Sequence, residues 1–126
     1  MNIIICGAGK VGLSISKQLS AQGHSVTVID QSSEDIKKIS DTQDVKGIVG
    51  RATLPSVLEN AGAEKADMVI AVTRNDETNM IVCQLASSLF NISKKIARIR
   101  TKDFLEGKWG ILYNKSNIPI DVIISP

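Results

Sequence analysis

Gly7, Gly9 and Gly12, in the stretch "IIICGAGKVG", fall at the spacing G-x-G-x-x-G. Each glycine has a task where a dinucleotide is bound: Gly7 allows a tight turn, Gly9 leaves room for a pyrophosphate, and Gly12 lets a helix approach the preceding strand closely. The helix that follows offers free N–H groups and a positive dipole end to the phosphates. The spacing alone is a weak signal, and a turn that merely packs is the alternative. Its context adds weight. The loop follows an apolar run, opens an amphipathic stretch, and is answered by Asp30, eighteen positions beyond Gly12. A carboxylate there can accept hydrogen bonds from both hydroxyls of an adenosine ribose. Its charge would repel a 2′-phosphate, so NAD is expected in preference to NADP. The competing reading of Asp30 is a solvated strand end.

The elements that must position these residues follow from periodicity. Short apolar runs alternate with helix-period segments along the chain, the pattern of a parallel sheet covered by helices on both faces. Strands are expected at Asn2–Cys6, Ser25–Asp30, "VKGIV", Ala66–Val72, "KKIARIR" and around Asp121–Ile124. Between them, a helix from about Lys10 to Ala21 carries Val11, Ile15 and Leu19 on one stripe. A second helix opens at "SSEDIKKISD", and a third has Thr53 as a cap, Pro55 in its first turn and Gly62 as its stop. A fourth covers "TRNDETNMIVCQLASSLF", with Thr73, Asn75 and Asp76 as competent caps and Met80, Cys83, Leu85, Ala86, Leu89 and Phe90 on its buried side. "TKDFLEGKW" reads as a short capped helix. Right-handed crossovers then give an α/β fold: a Rossmann-like, doubly wound sheet of six strands in order 3-2-1-4-5-6, in three layers, forming one domain over residues 1–126.

That order locates the rest of the site. Strands one and four are neighbours whose crossovers leave to opposite faces, so a crevice opens between their C-terminal ends. Thr73 and Arg74, directly after the fourth strand, face the glycine loop across it; a helix cap and a surface cation are the alternatives. Arg98, near the end of the fifth strand, is the next cation able to reach in, unless it is held in an ion pair elsewhere. Arg51 lies on the adenine side near Asp30. Lys10, inside the loop, either touches phosphate or projects into solvent. The helix after Asn75 offers a second N-terminus to a ligand.

Several function classes are disfavoured. A net charge of +2 with 22% charged residues describes an ordinary surface. "KKIARIRTK" is basic, but its apolar alternation suits a buried strand and it has no aromatics for base stacking. No apolar run approaches the ~20 residues of a membrane span, and Met-Asn leads into the first strand without a basic signal region. Cys6 and Cys83 read as buried thiols of a reducing cytosol, and with His24 as the lone histidine zinc is unexpected. Hydride chemistry would need an acid, base or nucleophile at the nicotinamide. Tyr113 lacks a lysine four residues on, Asn117 standing there, and His24 lies in a turn at the opposite edge. The residues thus provide for binding a cofactor and show no means of using it.

The segments "MNIIICGAGKVG", "VIDQSSEDI", "LENAGAEKADMVIAVTRNDETNMIVCQLA" and "ARIRTKDF" resemble the RCK, or KTN (TrkA-N), domain, the N-terminal module of the regulatory, peripheral subunits of bacterial Trk potassium uptake systems. The resemblance runs from Met1 to Pro126. It implies binding of NAD and NADH, with ATP and ADP as competing ligands in the same crevice. It also implies homodimers or higher assemblies, and docking on the cytoplasmic face of the inner membrane against a potassium-translocating protein; the chain itself is expected not to be an enzyme, since the residues show no means of hydride chemistry. By position, the pyrophosphate loop is Gly7, Ala8, Gly9, Lys10, Val11 and Gly12, the ribose acid is Asp30, the far wall is Thr73 and Arg74, and the remaining cation is Arg98. Related domains often carry an acid in "G-D-A-T" where Arg51 stands here, and a cation beside the adenosine would favour ATP. Complete members usually continue into further C-terminal domains, so this chain is expected to be a fragment of a longer protein. The expected function is regulatory: ligand at the crevice gates the pore partner. The alternatives are the cofactor-binding half of an NAD-dependent dehydrogenase, or a scaffold without a ligand.

Overall fold

The computed structural model describes residues 1–125. Six strands alternate with helices: β1 (Asn2–Cys6), α1 (Lys10–Ala21), β2 (Ser25–Asp30), α2 (Ser33–Thr42), β3 (Lys46–Val49), α3 (Pro55–Asn60), β4 (Met68–Ala71), α4 (Asp76–Ser88), β5 (Lys94–Arg98) and β6 (Val122–Ile124). All pairings are parallel, in the order β3-β2-β1-β4-β5-β6, the expected doubly wound arrangement. Among the described residues no helix is long and apolar enough to cross a membrane.

The pleat sends successive strand residues to opposite faces, so a strand buried on both sides must be apolar throughout. Ile3 and Ile5 of β1, with Ile70 and Val72 at β4, join a core under α1 and α2 that includes Ile36 and Ile39. Ile4 and Cys6, with Val69 and Ala71, join the opposite core under α3 and α4, with Leu58, Met80, Val82, Cys83 and Ala86. The crossovers from β1 and β4 therefore leave to opposite faces, and the strand ends part between them. Val11, Ile15 and Leu19 pack against the first core, but the residues of α1 buried most deeply are Gly12 and Ser16. The Ser16 hydroxyl donates to Gln43 Oε1 at 2.7 Å, and Gln43 Nε2 donates to the Leu13 carbonyl at 3.0 Å, tying α1 to the end of α2.

The structure corrects four local expectations. Thr53 does not cap α3; Leu54 holds that position without a side-chain bond, and Pro55 starts the helix because its missing N–H is not needed there. Thr73 does not cap α4; Asn75 does, its side chain accepting the Thr78 N–H at 2.8 Å. Leu89 is 56% exposed, since it follows the last turn of α4 and clears the sheet. "TKDFLEGKW" forms two 3-10 segments, Lys102–Leu105 and Gly107–Leu112, in place of a capped helix. Gly107 and Gly110 weaken helical propensity there, and the Tyr113 hydroxyl donating to the Phe104 carbonyl at 2.9 Å closes the loop instead. His24 lies at the other end of the sheet, its Nδ1 3.1 Å from the Met1 amino nitrogen.

Candidate functional site

At the C-terminal ends of the strands lies a cleft of about 590 Å³, within the range of small-ligand sites. Gly7, Gly9, Lys10, Val11, Asp30, Arg51, Thr73, Arg74 and Arg98 all line it. Ala8 and Gly12 do not: both are buried and act from behind the surface.

The glycine loop is shaped by close approach. Gly7 has φ +118°, and a Cβ there would meet the Val72 carbonyl oxygen at 2.8 Å. A Cβ on Gly12 would run into the Gly7 carbonyl, so only glycine lets α1 start this near β1. Gly9 differs, because a Cβ built on it meets nothing within 4 Å. Its vacant side faces the cleft.

Asp30, at the end of β2, holds the loop in place. One carboxylate oxygen accepts the Ala8 N–H at 2.7 Å and the other the Ser32 N–H at 2.8 Å. The Gly7 N–H is taken by the Ile29 carbonyl at 2.8 Å. Each carboxylate oxygen keeps a further lone pair, so the group can still accept from ribose hydroxyls while fixing the backbone behind them.

The three long helices near the cleft treat their N-termini differently. α2 is capped by Ser32 and has Glu34 and Asp35 in its first turn; α4 is capped by Asn75 and has Asp76 and Glu77. α1 has neither a side-chain cap nor an acid. Its first N–H groups and positive dipole are left for something else to satisfy, which an anion does well.

On the far wall Thr73 is more committed than its sequence position suggests. Its hydroxyl donates to Asn79 Oδ1 at 2.7 Å and accepts the Asn75 N–H at 3.3 Å. Its donor is therefore not available to a ligand. Arg98 Nε is buried and has no hydrogen-bond partner among the described residues. An unpaired buried donor costs about 1–3 kcal/mol. Sequence reasoning missed several lining residues, among them Asp35, Asn75, Thr78 and Arg100. Arg100 was legible from the strand period, two places beyond Arg98.

Five cations (Lys10, Arg51, Arg74, Arg98 and Arg100) thus line the cleft against two carboxylates, Asp30 and Asp35. Among the described residues none of these cations is in an ion pair; those found are Lys37–Asp41 and Lys95–Asp121. The result is a positive field focused into a concave site, suited to attracting phosphates. The sequence alternative of a distant ion pair for Arg98 is not what the structure shows.

Asp76 is 5% exposed and accepts the Arg100 N–H at 2.9 Å and the Thr101 N–H at 2.7 Å. Burial alone would raise its carboxyl. Hydrogen bonds from the Thr101 side chain and from both backbone groups, with the Arg100 charge, hold it below the usual carboxylate range instead. Both thiols lie in the core away from the lining. Burial pushes Cys83 up to about 12 and Cys6 higher still, so neither is a ready thiolate. The ionisable groups facing the cleft are therefore cations and two carboxylates, of which Asp30 is already engaged with backbone. The residues fit a phosphate-bearing, hydroxylated ligand such as a nucleotide: an uncapped helix start, open space over Gly9, a carboxylate with free lone pairs and several unpaired cations opposite.

Comparison with known proteins agrees with the fold and places the chain in a family. The chain is 45% identical over its full length to the Trk system potassium uptake protein TrkA of Azorhizobium caulinodans, and 40% identical to the protein of that name from Vibrio alginolyticus. It spans 28% and 27% of the length of those relatives. Among solved structures, the TrkA-N domain of the inner membrane protein ybaL from Escherichia coli superposes with a TM-score of 0.82 at 18% identity, over 98% of this chain and 86% of that one. The GsuK channel bound to NAD superposes at 0.78 and 17% identity, covering 98% of this chain and 21% of that one, and the same channel bound to ADP at 0.78 and 17%, covering 98% and 31%. The Kef C-terminal domain of Shewanella denitrificans in an AMP-bound form superposes at 0.72 and 26% identity, over 83% of this chain and 65% of that one. The TrkA-N domain model matches residues 3–126. By fold, by sequence and by the extent of that match, the chain belongs to the TrkA-N domain family.

Proposed function

We propose that this chain is a nucleotide-sensing module of a Trk-type potassium uptake regulator. It binds NAD or NADH across the cleft, with ADP and ATP competing for the same place, and it biases a potassium-translocating membrane partner. The observation that carries this reading is the pairing of an uncapped α1 with the cations that line the cleft opposite it. Support also comes from NAD, ADP and AMP in the named structures of like fold. The adenosine sits between Asp30 and Arg51, the phosphates against Gly9, Lys10 and Val11, and the second half of a dinucleotide reaches Arg74 and Arg98. Among the described residues no nucleophile or free general base lines that end, and in our reading the module reports its ligand and does not transform it.

Sensing requires unequal binding to two arrangements of the assembly. A coupling of about 1–3 kcal/mol is typical of such regulators. In our reading the module works as a homodimer or larger assembly, as one part of a longer protein, on the cytoplasmic face of the membrane. The ligand supplies the differential contacts because the glycine loop and the Arg98 wall belong to different halves of the sheet. Calorimetric titration with NAD, NADH, ADP and ATP tests the proposal. Saturable binding of at least one of them, abolished at high salt, is expected. A folded protein that takes up none of the four refutes it.

A further inference from the structure

A fully buried amide side chain in the first turn of a helix needs partners, and Asn79 of α4 has them at both neighbouring strand ends. Its Oδ1 accepts the Thr73 N–H at 3.0 Å and the Thr73 hydroxyl at 2.7 Å. Its Nδ2 donates to the Thr73 carbonyl at 3.1 Å and to the Arg98 carbonyl at 2.7 Å. It is 0% exposed. One side chain therefore fastens the exit of β4 to the exit of β5, where the far wall of the cleft begins. Asp76, one turn earlier on the same helix, fastens the next two residues of that wall through the Arg100 and Thr101 N–H groups. Every polar atom of the Asn79 amide is used within the protein, so it has nothing left to offer a ligand.

We propose that Asn79 is the positioning residue of the far wall: it holds Thr73 and Arg98 in register and so sets where the Arg98 side chain lines the cleft. This rests on the nucleotide-binding reading above. It makes α4 the element that feels whether the far wall is occupied, because a ligand pulling on Arg98 pulls on the one amide shared by both strand ends. A ligand that stops at the glycine loop leaves that amide undisturbed. Buried networks of this kind respond as a unit, and their members are non-additive when altered together.

The test is a set of calorimetric titrations with NADH and with AMP on the wild type, Asn79→Ala, Arg98→Met and the double variant. AMP reaches Asp30 and the glycine loop only, and NADH reaches Arg98 as well. Asn79→Ala is expected to weaken NADH by about tenfold or more, as for loss of a charge-assisted hydrogen bond, and AMP by less than about twofold. In the Arg98→Met background the same change is expected to cost NADH far less than it does alone. Equal losses for both ligands, or losses that multiply in the double variant, would overturn the positioning role. If Asn79→Ala does not fold, the side-chain NH2 resonances of Asn79 in the wild type decide: they should shift on adding NADH and hold still with AMP, and no shift with NADH defeats the proposal. A wild type that binds none of NADH, AMP, NAD, ADP and ATP fails the nucleotide reading itself, whereas a wild type that binds NADH and AMP while the variant loses both alike fails this inference alone.

Discussion

Two glycines three residues apart should respond to the same methyl group in opposite ways. A Cβ on Gly12 enters the Gly7 carbonyl, which is backbone and cannot swing aside, whereas a Cβ on Gly9 meets no atom within 4 Å. Gly9 has φ −76°, which alanine adopts freely. In Gly12→Ala the start of α1 must move off β1, an overpacking that costs about 1–3 kcal/mol. Replacing glycine inside a helix returns at most about 1 kcal/mol. Because the Cβ would meet backbone, the cost falls at the upper end of that range, and the net loss of about 2 kcal/mol corresponds to a fall of roughly 8 °C in Tm for a domain of this size. Gly9→Ala should melt at or slightly above the wild-type temperature, since the methyl fills only open cleft and reduces unfolded-state entropy. Its penalty is in binding, because the methyl stands where a phosphate would approach the α1 N–H groups. A loss of tenfold or more in NADH affinity, about 1.4 kcal/mol, is expected. Thermal melts by circular dichroism paired with calorimetry read both quantities. If Gly9→Ala binds NADH within twofold of the wild type, or melts as low as Gly12→Ala, the assignment of separate tasks to the two glycines is wrong.

Three further outcomes follow from the same geometry. Asp30→Ala should lower NADH affinity several-fold and also destabilise the free protein by about 2 kcal/mol, because it strands the Ala8 and Ser32 N–H groups; urea unfolding without ligand separates this from a purely ligand-facing role, which would leave stability intact. Asp76 has its carboxyl below the ordinary range when folded, so its contribution is present above the unfolded value near 3.9 and is lost as pH falls through the lowered folded value. Asp76→Asn should therefore be less stable than wild type at pH 7, with the gap closing in acid below about pH 4, and a gap that stays constant from pH 7 to pH 3 contradicts the assignment. Arg51→Asp should weaken ATP more than NADH when the two are compared by competition, and an equal loss for both removes Arg51 from nucleotide choice.

Much of this architecture was legible in the residues because burial on both faces leaves a strong imprint. "IIIC" and "MVIAV" have to be apolar at every position, and the glycine loop has to be glycine where backbone meets backbone. The strand order then follows from crossover handedness, and with it the cleft between β1 and β4. What was not legible depends on partners that periodicity does not see. Asp76 reads as a competent helix cap and no pattern singles out Asn79, yet both are buried and bonded to backbone at or beyond the end of β5, twenty or so residues away in sequence. Thr73 reads as a cap because threonine before a helix usually is one, but the Asn79 amide captures its hydroxyl first. Asp30 reads as a ligand contact or a solvated strand end, whereas the structure gives it a duty to the Ala8 and Ser32 N–H groups. The capped helix expected after β5 gave way to 3-10 turns where Gly107 and Gly110 leave no continuous apolar stripe to bury.

The most direct test of the nucleotide-sensing account is the crystal structure of this chain soaked with NADH. The account predicts density for a pyrophosphate over Gly9, Lys10 and Val11, a ribose on Asp30, and an acceptor within hydrogen-bond distance of the Arg98 guanidinium. Solvent alone along the glycine loop, in crystals whose cleft is open to the soak, would contradict it.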